Sequence, residues 1–254
     1  VLVHAAAGGV GQAAIILAHR MGAEVFVTAG SPEKRAYLSR QFGIPEDHIF
    51  SSRDTEFASQ LMKITAGKGV DVVLNSLAGE LLQCTFNCVA PFGRFVEIGK
   101  RDLEQNKLLE MHAFTCHVSF ASVDLIALGK LKGAVVSRIL NDIMRLTKDD
   151  GLRLVQPITT YPISKIHEAF RMLQAGRHIG KVIVTPGPDD RVNVSLARSV
   201  SVQIRAMILT PTCSFFDLSG LFGCTQNPHI WLLEAWVELA DRSASGWCSE
   251  APET

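Results

Sequence analysis

Apolar runs and helical stripes alternate along the chain from its first residue. Val1-Leu2-Val3 is a short apolar run that reads as a buried strand and ends ahead of Gly8-Gly9-Val10-Gly11. Over 12–21 the apolar residues Ile15, Ile16, Ala18 and Met21 predict a helix, which Gly22 stops. Residues 24–28 (EVFVT) predict a second strand. Ser31-Pro32-Glu33 opens the next helix, with Ser31 placed to cap it and Pro32 suited to its first position. Ala36, Leu38 and Phe42 form its apolar face. A strand over 48–51, a helix over 56–65, a buried strand over 70–74 (VDVVL) and a helix over 81–89 follow. Gly93-Arg94 then turns the chain into strands over 95–98 and 118–120. This alternation predicts an α/β fold, a doubly wound parallel sheet with helices on both faces.

After Asp149-Asp150-Gly151 the rhythm changes. Residues 159–163 lead into a helix over 164–175, a final strand occupies 181–184, and PGPDD at 186–190 reads as a linker. Beyond about 195 no clean periodicity precedes Asn227, which is placed to cap a short helix over 228–240. The expected organisation is a nucleotide-binding domain over 1–150, a return segment over 151–194 and a poorly structured, unassigned tail over 195–254.

Composition narrows the function classes. With 47% hydrophobic and 20% charged residues the chain can bury a sizeable core. Its 25 basic and 25 acidic side chains cancel, and no basic stripe or acidic tail suggests nucleic acid or a membrane surface as partner. No charged segment precedes the first strand as in a signal peptide, and the apolar stretch 1–18 is interrupted by His4, three glycines and Gln12. Six cysteines form no C-x-x-C pair; Cys84 and Cys88 lie one helical turn apart, and two ligands fall short of the four usual for structural zinc. The expectation is no metal site and a reducing, cytoplasmic compartment.

The chemistry begins at the first strand's end. Ala6-Ala7-Gly8-Gly9-Val10-Gly11 is the dinucleotide-binding fingerprint of a Rossmann fold, with alanine in the first glycine position. Gly8 lets the backbone approach a pyrophosphate, Gly11 lets helix and strand pack closely, and the helix N-terminus offers N–H groups to the phosphates. NAD sites place an acid at the end of the second strand, about 20 residues on, for the ribose 2′-hydroxyl. Here Gly30 and Ser31 occupy that point, with Lys34 and Arg35 one turn later, a set that suits the 2′-phosphate of NADPH. The plain alternative is a capped, solvated helix start.

With these pieces placed, HAAAGGVGQAA, GSPEKR, DHIFSSRD, GVDVVLNSL, FGRFVEIGK and GRHIGKVIV resemble the enoyl reductase domain of iterative, highly reducing polyketide synthases of the fungal type, over residues 1–194. Animal fatty acid synthases carry a similar domain, and both belong to the medium-chain dehydrogenase/reductase superfamily. The resemblance implies NADPH-dependent reduction of an α,β-unsaturated thioester held on an acyl carrier protein, inside a multidomain synthase of secondary metabolism. It implies catalytic roles for Lys100, as proton donor or enolate partner, and for Asp124, orienting it or relaying protons. It also implies that Asn75-Ser76-Leu77 touches the nicotinamide ribose, that Gly99 joins the cofactor site, and that zinc is not used. Plainer readings stand beside these: Lys100 as a solvated strand-end lysine, Asp124 as an acid favoured at a helix N-terminus, His4 as a packed strand-end histidine.

The chain also departs from that family. It starts inside the first strand, so the barrel-like domain that precedes it in relatives is expected to be missing, and the chain to be an inactive or weakly active fragment. The return segment's apolar face is then expected to be exposed. After about Val194 the resemblance stops, and the tail reads as either a foreign or mistranslated extension or a divergent linker. A free-standing, zinc-independent quinone or alkenal reductase, and a non-catalytic nucleotide-binding module, are the competing functions.

Overall fold

The computed structural model describes residues 1–149, 151–188 and 190–191; the expectations for the tail, including its helix over 228–240, lie outside them. In chain order the elements are β1 (Leu2–Val3), α1 (Gly9–Arg20), β2 (Phe26–Ala29), α2 (Pro32–Phe42), β3 (Ile49–Ser51), α3 (Glu56–Ile64), β4 (Val70–Asn75) and α4 (Glu80–Phe86). Then come β5 (Val89–Glu97), α5 (Arg101–Glu104), β6 (Ser119–Ser122), α6 (Leu125–Leu131), α7 (Gly133–Asp149), β7 (Ile158–Pro162), α8 (Ile166–Gln174) and β8 (Lys181–Thr185). The first six strands form one parallel sheet in the order β3-β2-β1-β4-β5-β6. This is the doubly wound order, and it reverses between β1 and β4, where such sheets open a crevice for ligands.

Strand alternation sends neighbouring residues to opposite faces. Leu2, Phe26, Val73 and Phe95 face α3 and α4 and pack with Phe57, Leu61, Leu82 and Phe86 into an aromatic layer. Val3, Val27, Leu74 and Val96 face the other way, where α1 contributes Ala14, Ile15 and Ala18. The two alanines let α1 lie close to the sheet directly after the glycine turn. Leu38 of α2 and Ile139 of α7 complete that layer.

The structure corrects several pattern-based boundaries. The helix expected over 81–89 ends at Phe86, because Val89 already pairs with Val70. The Gly93-Arg94 turn lies within β5, whose register against β4 shifts between Val70 and Val72. Ala36 is exposed, and Tyr37 packs on the core in its place. Residues 159–163 are mostly strand β7 rather than a lead-in to a helix, since Ile158 to Pro162 pair with β8 in a separate two-stranded parallel sheet. Helix α6 starts at the acid read as a helix N-terminal residue, Asp124, while helix α7 has no counterpart in the sequence pattern. The signal for α7 was Val135, Ile139 and Ile143, four residues apart, of which the last two are buried.

The second sheet is fastened to the first near the glycine turn. Gly180 N–H donates to Ala7 O at 2.8 Å, and Gly8 and Gly180 form an isolated parallel bridge. Gln12, buried in α1, donates to Ala7 O at 3.0 Å and accepts from Gln156 N–H at 3.2 Å. Tyr37 OH donates to Gln156 O, and Arg153 donates to Gln41 O at 3.1 Å. In this segment Phe170 and Leu173 of α8 are exposed.

Candidate functional site

The glycine turn sits at the carboxyl end of β1. Gly11 is required by packing: a Cβ there would lie 2.5 Å from Ala6 Cα and 2.7 Å from Ala5 O. Gly8 is not crowded in that way, its Cβ meeting only Ala5 O at 3.4 Å. The first bond inside α1 runs from Gln12 N to Gly8 O at 2.9 Å, so the N–H groups of Gly9, Val10 and Gly11 have no acceptor within the helix. The cap residue Gly8 makes no side-chain bond, and no acid stands in the first turn. A backbone that bare, at the positive end of a helix, fits a pyrophosphate.

At the end of β2, Ser31 Oγ accepts from Lys34 N–H at 3.4 Å and caps α2. Lys34 Nζ donates to Gly176 O at 2.7 Å; burial lowers its ammonium pKa, Glu33 pulls it back up in part, and Arg53 adds a smaller lowering. Arg35 Nε is buried and has no hydrogen-bond partner among the described residues. Arg53, which the sequence reading did not select, donates through Nε to Gly30 O. A Cβ on Gly30 would meet Ser52 Oγ at 3.3 Å and Arg53 Nε at 3.7 Å. Hydroxyls and cations thus gather where an acid would stand in an NAD site. Arg53 lies in the DHIFSSRD stretch, but only the β2–β3 pairing brings it beside Gly30.

Parallel register brings the remaining strand ends level: Asn75 of β4 pairs with Glu97 of β5, and Glu97 with Ser122 of β6. The loops after them carry Ser76, Lys100 and Asp124. Lys100 Nζ donates to Asp124 Oδ2 at 2.8 Å, with both side chains about two-fifths exposed. Asp124 Oδ1 also caps α6, accepting from Ile126 N–H at 2.9 Å and Ala127 N–H at 3.4 Å. The two readings of Asp124 are therefore compatible. The Lys100 hydrogen bond and these two backbone donors hold its carboxyl below the usual range.

Asn75 departs from expectation. It is wholly buried, and its amide donates to Leu77 O at 2.8 Å and to Glu97 Oε2 while accepting from Leu77 N–H at 3.3 Å. Its side chain is committed inside the loop, which leaves Ser76 as the exposed member of the trio. Glu97, missed in the sequence, is the other half of this arrangement. Its second oxygen accepts from Gly99 N–H, so one buried carboxylate ties together the loops after β4 and β5. Burial pushes its pKa up to about 7 against those hydrogen bonds. The plainer reading of His4 matches its setting: buried, with Nδ1 2.8 Å from Thr28 Oγ1 and Nε2 3.0 Å from Thr85 Oγ1, it is pushed down to about 3. Cys84 and Cys88 are free thiols, both with raised pKa, Cys88 to about 12. Among the described residues no three His, Cys, Asp or Glu side chains gather as a metal-ligand group, and no helix is long and apolar enough to cross a membrane.

Comparison with known proteins shows the family. The family model for zinc-binding dehydrogenases matches residues 9–141. The highly reducing polyketide synthase poxF of Penicillium oxalicum is 54% identical over 223 residues, 88% of this chain and 9% of that synthase. The chain thus spans about a tenth of the length of the curated relatives it matches. An alignment of 223 residues cannot fit within 1–194, so the likeness continues into the tail, and the expectation that it stops near Val194 is overturned. The tail carries none of the motifs on which the resemblance upstream rests. The CurK enoyl reductase is 40% identical with a TM-score of 0.63, over 73% of this chain and 54% of that one. The nucleotide-binding subdomain of the enoylreductase domain of PpsC from Mycobacterium tuberculosis is 42% identical with a TM-score of 0.57, over 60% of this chain and 84% of that one. The chain belongs to the zinc-binding dehydrogenase family of the medium-chain dehydrogenase/reductase superfamily, and within it is similar to the enoyl reductases of polyketide synthases.

Proposed function

We propose that the chain is the nucleotide-binding part of an NADPH-dependent enoyl reductase in a polyketide synthase, reducing the α,β double bond of an enoyl thioester on an acyl carrier protein. The observation that carries this reading is the Lys100–Asp124 pair, held at the carboxyl ends of β5 and β6 on the sheet edge that bears the glycine turn. Bound NADPH would supply hydride to the β-carbon. The glycine turn and α1 hold the pyrophosphate, and Ser31, Lys34, Arg35 and Arg53 hold the 2′-phosphate. Glu97 and Asn75 fix the two loops on the nicotinamide side. Lys100 faces the thioester, where its ammonium stabilises charge on the enolate oxygen and carries a proton for the α-carbon. Asp124 accepts one Lys100 N–H and so limits the directions in which the ammonium can point.

The test is a graft. Placed in the CurK enoyl reductase in place of the matching segment, the chain should support NADPH oxidation by a crotonyl thioester on a carrier protein. Lys100→Ala in the graft should lower kcat by at least tenfold with little change in NADPH affinity, since general acid–base groups contribute about 10²–10⁴-fold. Activity confined to quinones, or a Lys100→Ala graft with the parent rate, would overturn the reading.

A further inference from the structure

Lys100 lies between two carboxylates in the chain, those of Glu97 and Asp102. We infer that these two carboxylates clasp the Lys100 loop onto the loop after β4, and that Glu97 is a positioning residue for Lys100. This rests on the role proposed above for Lys100.

Both contacts cross from the β5 side to the β4 side. Glu97 is buried; its Oε2 accepts from the buried Asn75 amide and its Oε1 from Gly99 N–H. Asp102 Oδ2 accepts from Gly79 N–H. Asn75 ends β4 and Gly79 stands at the start of α4, so the loop between them is held at both ends. Gly99 lies against that loop: a Cβ there would come 2.6 Å from Glu97 Oε1 and 3.7 Å from Ser76 O. Lys100 follows Gly99 directly. Its backbone is therefore anchored on either side, while Asp124 holds its ammonium at 2.8 Å.

Glu97 can serve both donors only as a carboxylate. Protonation puts an O–H against the Asn75 or the Gly99 N–H and gives up one of the two bonds. Burial raises its pKa to about 7 against those bonds, and Asp102, from α5, adds to the rise. The other surroundings are neutral or already engaged. Asn75 faces it from β4, and Ser122 pairs with it from β6. His4, just past β1, is kept neutral by burial and is bonded to Thr28 and Thr85. Lys100 is engaged by Asp124, and Arg101 Nε lies 3.6 Å from Asp102 Oδ1. The clasp is thus complete above about pH 7 and loses one bond below it.

The first measurement needs no turnover. On the chain as it stands, the Gly99 amide proton resonance should titrate with a midpoint near the Glu97 value of about 7, and the side-chain Cε resonance of Lys100 should step at the same midpoint. In Glu97→Gln both steps should vanish. In the graft, kcat should rise as pH passes about 7. Glu97→Gln should abolish that rise and leave kcat about five- to tenfold below the parent's alkaline value, as for one lost charge-assisted hydrogen bond, with NADPH affinity little changed. Asp102→Ala tests the other end of the clasp and keeps the test decisive should Glu97→Gln fold poorly. It should lower kcat severalfold, and Asp102→Asn, which retains an acceptor for Gly79 N–H, should recover most of the loss. A Lys100 resonance that ignores the Gly99 titration would overturn the positioning role, as would a parent-like kcat in Asp102→Ala. A Lys100→Ala graft with the parent rate would overturn the functional reading itself. A slow Lys100→Ala graft beside a parent-like Glu97→Gln graft would overturn the clasp alone.

Discussion

Lys100 and Asp124, 24 residues apart, meet at 2.8 Å because β5 and β6 run parallel in register from Arg94↔Ser119 to Glu97↔Ser122. Asp124 spends one oxygen on the lysine and the other on the N-terminus of α6. The pair thus joins a candidate proton donor to a rigid helix end.

That division of labour separates charge from capping. Asparagine caps helices as well as aspartate, so Asp124→Asn should keep α6 folded while removing the anion that orients Lys100. In the grafted enzyme, kcat should fall severalfold with unchanged circular dichroism. Because Asp124 is held below the ordinary carboxylate range, the parent should lose the pair only in acid, as pH falls through that lowered value. A parent-like rate in Asp124→Asn would remove it from the proton path.

Cofactor choice should follow the cations at the end of β2. Titration should give NADPH a clear preference over NADH, with Lys34→Ala and Arg53→Ala each reducing it by about tenfold, as expected for one charge-assisted phosphate contact. Equal affinities for the two dinucleotides in the parent would reject the 2′-phosphate assignment.

Gly11→Ala tests the close approach of α1 to β1. The added methyl would meet Ala6 Cα at 2.5 Å, backbone that no rotamer change can clear. Overpacking of this kind costs about 1–3 kcal/mol, so the denaturation midpoint should drop together with nucleotide affinity. A variant with parent stability would show that helix and strand are not pressed together here.

Two buried groups predict the pH dependence of stability. His4 falls from 6.5 to about 3 on folding, and Glu97 rises from 4.5 to about 7. For His4 the unfolded chain gains a proton that the folded state refuses, so stability is lost as pH drops below about 6.5. For Glu97 the folded state holds a proton that the unfolded chain releases, so its contribution is complete below about 4.5 and lost as pH rises through about 7. Between about 4.5 and 6.5 the two slopes oppose each other, and urea unfolding should show a broad maximum there. Each group alone contributes roughly 3–5 kcal/mol across its own range at about 1.4 kcal/mol per pKa unit, and the limbs left outside the window where they cancel are smaller. Glu97→Gln should flatten the alkaline limb and leave the acid limb; an unchanged profile would show that Glu97 is not the group responsible.

Features written in contiguous residues were legible in the chain. The glycine turn, the Ser31 cap with Pro32 behind it, and the alternation that defines a doubly wound sheet each depend on neighbours within a few positions. Boundaries blurred where pairing overrode local pattern, as at Val89, which strand β4 recruits, and at 158–162, which needs β8 to become a strand.

The sequence by itself determined that a dinucleotide turn opens the chain, that no acid follows β2, and that Lys100 and Asp124 end up on strand-end loops, because residue order and short-range sterics decide these points. Tertiary structure alone decided that Asn75 turns inward to Glu97, that Arg53 reaches Gly30, and that Lys181 lies against Gly9. Those contacts come from strand register and from docking the second sheet onto the first. Such long-range pairings are selected by the packing energy of the whole fold, and no local pattern in the sequence encodes them.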